Sequence, residues 1–325
     1  MLSKNEYNQL KTVIVGDATG AKIPEHDISL RCVNYADNTK IPERGLYPQQ
    51  VRDEANEDID IFIDFLTKQN INVLRPDESH DPTYYKFCPR DTVFAYNNNV
   101  IYTPMSLRAR ANEYTAYKKI FEKYDVTKHN VDIKREDSLY NTNCINNPNI
   151  LALNETEPCF DAANILKNND DLYYLVSNSG NLLGAEMLQR YMGNTAKVHI
   201  IEDVYSYMHL DSTIAFLKEG LLLANPSRIK NKKQLPEKLQ KWDIVWAPEP
   251  VDIGHHPGYS NSSPWISLNV LSINERLVVV EEHQHNLRIE LEKHKIDCAM
   301  LPMRQSRTLG GCFHCITVDV EREHV

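Results

Sequence analysis

The run Thr92-Val93-Phe94-Ala95-Tyr96-Asn97-Asn98-Asn99-Val100-Ile101-Tyr102-Thr103-Pro104 decides the fold. Two short apolar runs, 92–96 and 100–104, flank consecutive asparagines, which suit the tight turn of a β-hairpin. Downstream, residues 107–124 carry helical spacing, with Tyr114, Tyr117, Ile120 and Phe121 on one side. Hairpin, helix and closing strand form a module that the rest of the chain repeats.

The repetition is plain further on. Runs 213–217 and 221–224 flank Lys218-Glu219-Gly220, residues 236–242 read as a short helix, and 243–247 close that unit. Next come runs 267–273 and 276–280 around Asn274-Glu275, a helix near 286–295 and a strand at 298–301. Near the start, 12–15 is followed by a helix near 53–68 and a strand at 71–74. Its missing partner is sought at 315–320, which would close a ring. The middle module is least regular: 150–153 and 164–167 read as strands around 155–163, followed by a strand at 172–177, a helix near 182–192 and a strand at 197–201. Such units, at about 40–60 residues each, point to radial repetition, a five-module α/β propeller, rather than an open doubly wound sheet. The competing reading is a mixed α/β fold with coincidental spacing. No Gly/Ser or Pro-rich linker interrupts the series, so residues 1–325 read as one domain.

Composition narrows the function classes. Apolar residues make up 42% and charged residues 25%, ordinary for a globular chain. A net charge of −9 argues against a nucleic-acid partner. No run of about 18 apolar residues exists to span a membrane. The N-terminus lacks a basic stretch followed by an apolar core, so a cytoplasmic location is expected. The seven cysteines are odd in number and irregularly spaced, and read as reduced thiols. Neither a phosphate-binding loop nor a glycine fingerprint opening a βαβ unit is present, and no cofactor is expected.

Chemically capable residues fall at module entrances: Arg90-Asp91, Asp161, His209 with Asp211, Ser262-Ser263, and Cys315. In a ring, equivalent entrances converge on one axis. The His209-Leu210-Asp211 spacing turns both polar side chains the same way in an extended segment, although such a pair alone is weak evidence. Gly310-Gly311-Cys312-Phe313-His314-Cys315 is the most unusual local sequence. Adjacent glycines permit close backbone approach or positive φ. Cys312 and Cys315 could be a redox pair, but the strand-to-helix context is missing. A zinc site with His314 lacks its remaining ligands, so no metal is expected. From these residues alone, a buried structural cysteine is the commoner outcome and a nucleophile stands second.

Six ordered strings carry a resemblance. They are Pro89-Arg90-Asp91, Glu157-Pro158-Cys159-Phe160-Asp161-Ala162-Ala163, Met208-His209-Leu210-Asp211-Ser212-Thr213, Asn225-Pro226-Ser227-Arg228, Ser262-Ser263-Pro264-Trp265-Ile266-Ser267-Leu268-Asn269, and the glycine-cysteine string 310–315. From Arg75-Pro76-Asp77 through Asp319, the chain resembles the amidinotransferases, of which L-arginine:glycine amidinotransferase is the best-known member. They belong to the pentein superfamily with arginine deiminase and dimethylarginine hydrolase. The resemblance implies a five-module α/β propeller that moves an amidino group from L-arginine to an amine acceptor. It implies Cys315 as nucleophile, His209 as general acid/base and Asp161 as the carboxylate orienting it. Asp91 and Asp211 would grip the guanidinium, while Arg228, Ser262 and Ser263, with Asn269 added, would hold the amino-acid end.

Guanidine chemistry suits these side chains. Two carboxylates can accept the N–H groups of a planar cation and expose its carbon to a thiolate. A deiminase-like hydrolase making citrulline would use the same groups, but Phe160-Asp161-Ala162-Ala163 favours transfer. A non-catalytic arginine-binding scaffold is the remaining alternative. The partners expected are small molecules, L-arginine and an amine, with pairing into a homodimer possible. The sequence departs from the family pattern at Asn164, where an aspartate is usual, at Cys312, where a glycine is usual, and at Ser206-Tyr207. Cys312 is a candidate for a reversible bridge with Cys315 under oxidation, and Ser206-Tyr207 for the acceptor side of the pocket.

Overall fold

The computed structural model describes residues 2–37, 39–204 and 207–324. Among them the strands form five three-stranded sheets and one two-stranded ribbon, Lys22–Ile23 with Gly45–Leu46. Every three-stranded sheet follows one order, an antiparallel pair and then a strand parallel to the middle one. Val93–Tyr96, Asn99–Tyr102 and Thr127–Asn130 make one such sheet. Ile165–Asn168, Asp171–Leu175 and Lys197–Ile201 make the next. Ile214–Lys218, Leu221–Ala224 and Asp243–Trp246 follow, and then Leu271–Asn274, Leu277–Glu281 and Asp297–Leu301. The expected five-module α/β propeller is the architecture observed.

Local chemistry explains the modules. The hairpins turn on Asn97 (φ 52°), Asn169 (φ 54°) and Gly220 (φ 76°), residue types that enter the left-handed region at low cost. A parallel third strand needs a crossover, because a two-residue turn cannot reverse the chain twice. Helices Gln49–Lys68, Leu182–Met192, Glu237–Gln240 and His285–Lys293 occupy these crossovers. The first buries Val51, Ala55, Ile59, Phe62 and Leu66, an apolar stripe at helical spacing.

The ring closes as expected. Thr317–Arg322 pairs antiparallel with Leu10–Val15, which pairs parallel with Asn72–Leu74. Packing then joins neighbouring modules; Tyr173, for example, meets Phe216 edge-on at 5.6 Å. Charge is also buried between modules: Asp319 pairs with Arg90 at 2.7 Å and with Lys167 at 2.8 Å. Such ions survive burial only when paired, and removing one partner is costly. Among the described residues, no helix is long and apolar enough to cross a membrane.

Two local expectations fail. Residues 107–124 form short 3₁₀ turns, Arg108–Arg110, Glu113–Ala116 and Lys118–Lys123, rather than an α-helix. The apolar positions Tyr114, Tyr117 and Ile120 recur every three residues, which aligns them on a 3₁₀ helix as readily as on an α-helix. Residues 150–153 are not a strand of the third sheet; Leu153 makes only an isolated bridge to Tyr140. The hairpin partner of Ile165–Asn168 is instead the next apolar run, Asp171–Leu175.

Candidate active site

The proposed site residues sit just ahead of the first strand of a module hairpin. Asp91 lies in the turn Pro89–Thr92 before Val93–Tyr96. Asp161 precedes Ala162–Asn164 and the strand after it. His209 and Asp211 precede Ile214–Lys218, and Cys315 precedes Thr317–Arg322. His209, Asp211 and Cys315 line a cleft of about 1330 Å³ together with Arg228, Ser262 and Ser263, and Asp91 and Asp161 adjoin it through their contacts with His209.

Backbone detail holds the floor in place. Gly310 adopts φ 79°, and at Gly311 a Cβ would lie 2.5 Å from Cys88 Sγ and 3.1 Å from Cys315 Cβ, so only glycine admits this approach. The Cys315 N–H donates to Asn269 Oδ1 at 2.7 Å, while Asn269 Nδ2 donates to the Asp211 carbonyl at 3.3 Å. One buried amide therefore ties the thiol-bearing residue to the loop carrying Asp211.

His209 departs from the extended conformation expected of His209-Leu210-Asp211. Its φ is 50°, and the chain turns because the Leu210 N–H donates to the Ala163 carbonyl at 3.0 Å. A non-glycine residue in this region is strained and is held there by its surroundings. Both side chains still face the cleft. His209 Nε2 lies 3.0 Å from Asp161 Oδ2, and Nδ1 lies 3.7 Å from Asp91 Oδ1.

Electrostatics sets the proton inventory. Burial opposes charge on His209, but Asp91 and Asp161 overcome it and hold its pKa well above the ordinary imidazole value. Burial likewise opposes ionisation of Asp211, yet His314 and His209 bring its pKa down to about 2. Cys315 is pushed well above the usual thiol range, first by its hydrogen bond with Cys88, then by burial and Asp211, with His209 pulling the other way. These shifts favour the charged imidazole at His209, the carboxylate at Asp211 and the protonated thiol at Cys315.

Two buried oxygens, Asp91 Oδ1 and Asp211 Oδ1, have no hydrogen-bond partner. The second oxygen of each acid is occupied. Asp91 Oδ2 accepts from Arg110 at 2.7 Å, and Asp211 Oδ2 lies 2.8 Å from His314 Nδ1 and 3.4 Å from Cys315 Sγ. A buried carboxylate oxygen with no donor is costly unless something positively charged fills the space beside it.

Arg228 donates to the carbonyl and hydroxyl of Ser212 and to Thr213 Oγ1, at 2.9–3.0 Å. Ser262 Oγ lies 3.4 Å from the Ser306 carbonyl, and Ser263 is exposed on the cleft wall. Asn164, the departure from the family pattern, is a buried scaffold amide between Ser177 and Ser179. Ser206 lies outside the described residues, while Tyr207 lines the cleft and donates from its hydroxyl to the Asn34 carbonyl.

Sequence reasoning missed three groups. Arg110 and Glu113 form a buried pair at 2.7 Å behind Asp91, and their i,i+3 spacing was the only available signal. Cys88 is the thiol that raises the Cys315 pKa most. Glu6, from the N-terminal segment, had no local signature. All seven cysteines are free.

The chain matches no family model. It is 39% identical over 336 residues to inosamine-phosphate amidinotransferase 1 of Streptomyces glaucescens, covering 98% of this chain and 95% of that protein. It is 30% identical to the L-arginine:L-lysine amidinotransferase of Pseudomonas savastanoi pv. phaseolicola, covering 98% and 94%. The solved inosamine-phosphate amidinotransferase of Streptomyces griseus superimposes with a TM-score of 0.94 at 36% identity, covering 100% of this chain and 97% of that one. Full-length similarity at these identities, on the same propeller, makes this chain a member of the amidinotransferase family, an enzyme that transfers amidino groups.

Proposed function

We propose that the amidino donor is L-arginine and that Cys315 carries the group covalently. The observation that carries this reading is the pair of buried carboxylate oxygens without a hydrogen bond, Asp91 Oδ1 and Asp211 Oδ1, beside the residues that adjoin the thiol. A guanidinium filling that space gives each oxygen an N–H donor and adds positive charge beside Cys315, which favours the thiolate. The thiol proton leaves to solvent. The thiolate attacks the guanidinium carbon, and His209, whose raised pKa favours the imidazolium, protonates the departing δ-nitrogen. The C–N bond breaks, ornithine leaves, and an amidino-cysteine remains. Neutral His209 then takes a proton from the incoming amine, which attacks and restores the thiolate. Asp161 orients the imidazole and stabilises its cation, as the third member does in other triads. Arg228, Ser262 and Ser263 serve the amino-acid end of the donor. Because the positive charge of the adduct rests on nitrogens, carboxylates rather than an oxyanion hole stabilise it. The Cys315 N–H is accordingly free to be spent on Asn269.

The acceptor in this reading is a hydroxyl-rich amine larger than glycine. The cleft, at about 1330 Å³, exceeds the roughly 300–1,000 Å³ typical of small-molecule sites. Asn34, Asn146, Asn147, Asn149 and Asn178 line it, and their amides can both donate to and accept from hydroxyls. Relatives named for inosamine phosphates, amine-bearing cyclitols, support the same class. The test is incubation with L-arginine and a panel of glycine, lysine, amino sugars, and inosamines with and without phosphate. Mass spectrometry reads the guanidino product, ornithine and citrulline together. A guanidinylated amino-cyclitol or amino sugar supports the reading. Citrulline alone, or a product only with glycine, overturns it.

A further inference from the structure

Behind Asp211 lies a histidine that the chemistry above does not use. His314 Nδ1 is 2.8 Å from Asp211 Oδ2, and Nε2 is 3.4 Å from Glu6 Oε2. A neutral imidazole has one N–H and one bare nitrogen, so a ring facing a carboxylate at each nitrogen is satisfied only when both are protonated. The ring is 6% exposed, leaving little room for water to substitute.

The opposite side of the site repeats the arrangement. Arg110 donates to Asp91 Oδ2 at 2.7 Å and from its Nε to Glu113 Oε2 at 2.7 Å. Each acid therefore has one oxygen occupied by a buried cation, and a second acid holds that cation from behind. Only the two Oδ1 atoms lack a hydrogen bond, and that of Asp91 lies 3.7 Å from His209 Nδ1.

We propose that His314, an imidazolium bridging Glu6 and Asp211, is a positioning residue for the donor: it occupies Asp211 Oδ2 so that Oδ1, ionised, is presented to the guanidinium. The proposal rests on the reading of Asp211 as part of the donor clamp. The charged groups facing the ring come from three segments: Asp211 before Ile214–Lys218, Glu6 from the N-terminal segment, and Arg90 from Pro89–Thr92. Asp319 and Lys167 stand behind Glu6 and Arg90. Burial and Arg90 oppose the charge on the ring, while Asp211 and Glu6 outweigh them. Without the imidazolium, Asp211 keeps its burial and loses its main cationic partner, so its carboxyl pKa rises and the clamp becomes sensitive to acid.

The test uses His314→Asn, whose amide nitrogen takes the place of Nδ1 without the charge. Ornithine release from stoichiometric enzyme, followed against L-arginine concentration and pH, needs no acceptor and separates saturation from the limiting rate. The half-saturating arginine concentration should rise by roughly 10- to 100-fold, as for a lost charge-assisted contact, with a smaller fall in limiting rate. A new acid limb should appear in the saturation profile. Unchanged saturation with no acid limb overturns the proposal. Asp211→Asn is run beside it. If neither variant changes saturation, the clamp reading itself fails; if only Asp211→Asn does, the clamp stands and the role of His314 falls. Should His314→Asn not fold, Glu6→Gln keeps the proposal testable. It removes one carboxylate from the ring and should move the alkaline loss of arginine affinity to lower pH, and an unmoved limb overturns the proposal.

Discussion

Asn269 joins the backbone of Cys315 to the backbone of Asp211: its Oδ1 accepts from the Cys315 N–H at 2.7 Å, and its Nδ2 donates to the Asp211 carbonyl at 3.3 Å. The side chain is fully buried, so no water can take over either bond. Asn269→Ala leaves a buried donor and a buried acceptor unsatisfied. It should cost about 1–3 kcal/mol of stability in urea unfolding and slow formation of the cysteine adduct. Unaltered stability together with unaltered adduct formation would rule out this anchoring role.

Cys315→Ala should abolish both ornithine release and the covalent adduct, because it removes the proposed amidino carrier. His209→Gln should slow ornithine release by about a hundredfold to ten-thousandfold, the usual loss for a positioned acid/base. Near-normal turnover in Cys315→Ala would defeat the covalent mechanism.

Cys88 is the largest influence raising the pKa of Cys315. In Cys88→Ala the thiol should ionise at lower pH, so alkylation of Cys315 by iodoacetamide at neutral pH should speed up by about threefold to tenfold. A pH profile of alkylation that coincides with the parent enzyme would contradict the assignment.

Gly311→Ala places a Cβ 2.5 Å from Cys88 Sγ and 3.1 Å from Cys315 Cβ. The variant should lose most activity, since overpacking at such a site costs about 1–3 kcal/mol and displaces the thiol. Adding Cys88→Ala removes the closer clash and should restore part of that loss. A double variant no better than the single one would place the damage elsewhere.

Asp211 has a folded-state pKa of about 2, below its unfolded value of about 3.9. A depressed acid contributes stability that is present above the unfolded value and is lost as pH falls through the folded one. That contribution, on the order of 2 kcal/mol, should disappear between roughly pH 4 and 2. His209 works in the other direction. Its raised pKa contributes stability that is complete below the unfolded imidazole value and is lost as pH rises through the folded one. In Asp211→Asn, the stability lost between pH 4 and pH 2 should shrink relative to the parent. Parallel acid-unfolding curves would refute the linkage.

The hairpins were legible in the sequence because Asn97 and Gly220 are turn residues between short apolar runs, and such signals are local. Helix Leu182–Met192 was equally legible, as its apolar spacing suits only one period. Residues 107–124 misled because a three-residue repeat fits two helical types. Convergence of Asp91, Asp161, His209, Asp211 and Cys315 followed once the ring was recognised, with each residue at a module entrance. The groups behind them were not legible. Glu6 and His314 stand 308 positions apart, and Arg110 reaches Asp91 across 19, so neither contact leaves a local pattern. Cys312 is near Cys315 along the chain, whereas Cys88, the thiol that most raises the Cys315 pKa, stands far from it in sequence.

Thr317–Arg322 completes the sheet begun by Leu10–Val15, and Cys315 lies just ahead of it. During synthesis on the ribosome, the acids and the histidine emerge long before the sulfur, and the opening module waits for its last strand until residues 317–322 have been made. Folding must therefore bring together contacts about 300 residues apart along the chain, a slow kind of search. A nascent chain released before residue 315 would have neither a closed ring nor the proposed nucleophile, so premature termination should yield inert fragments.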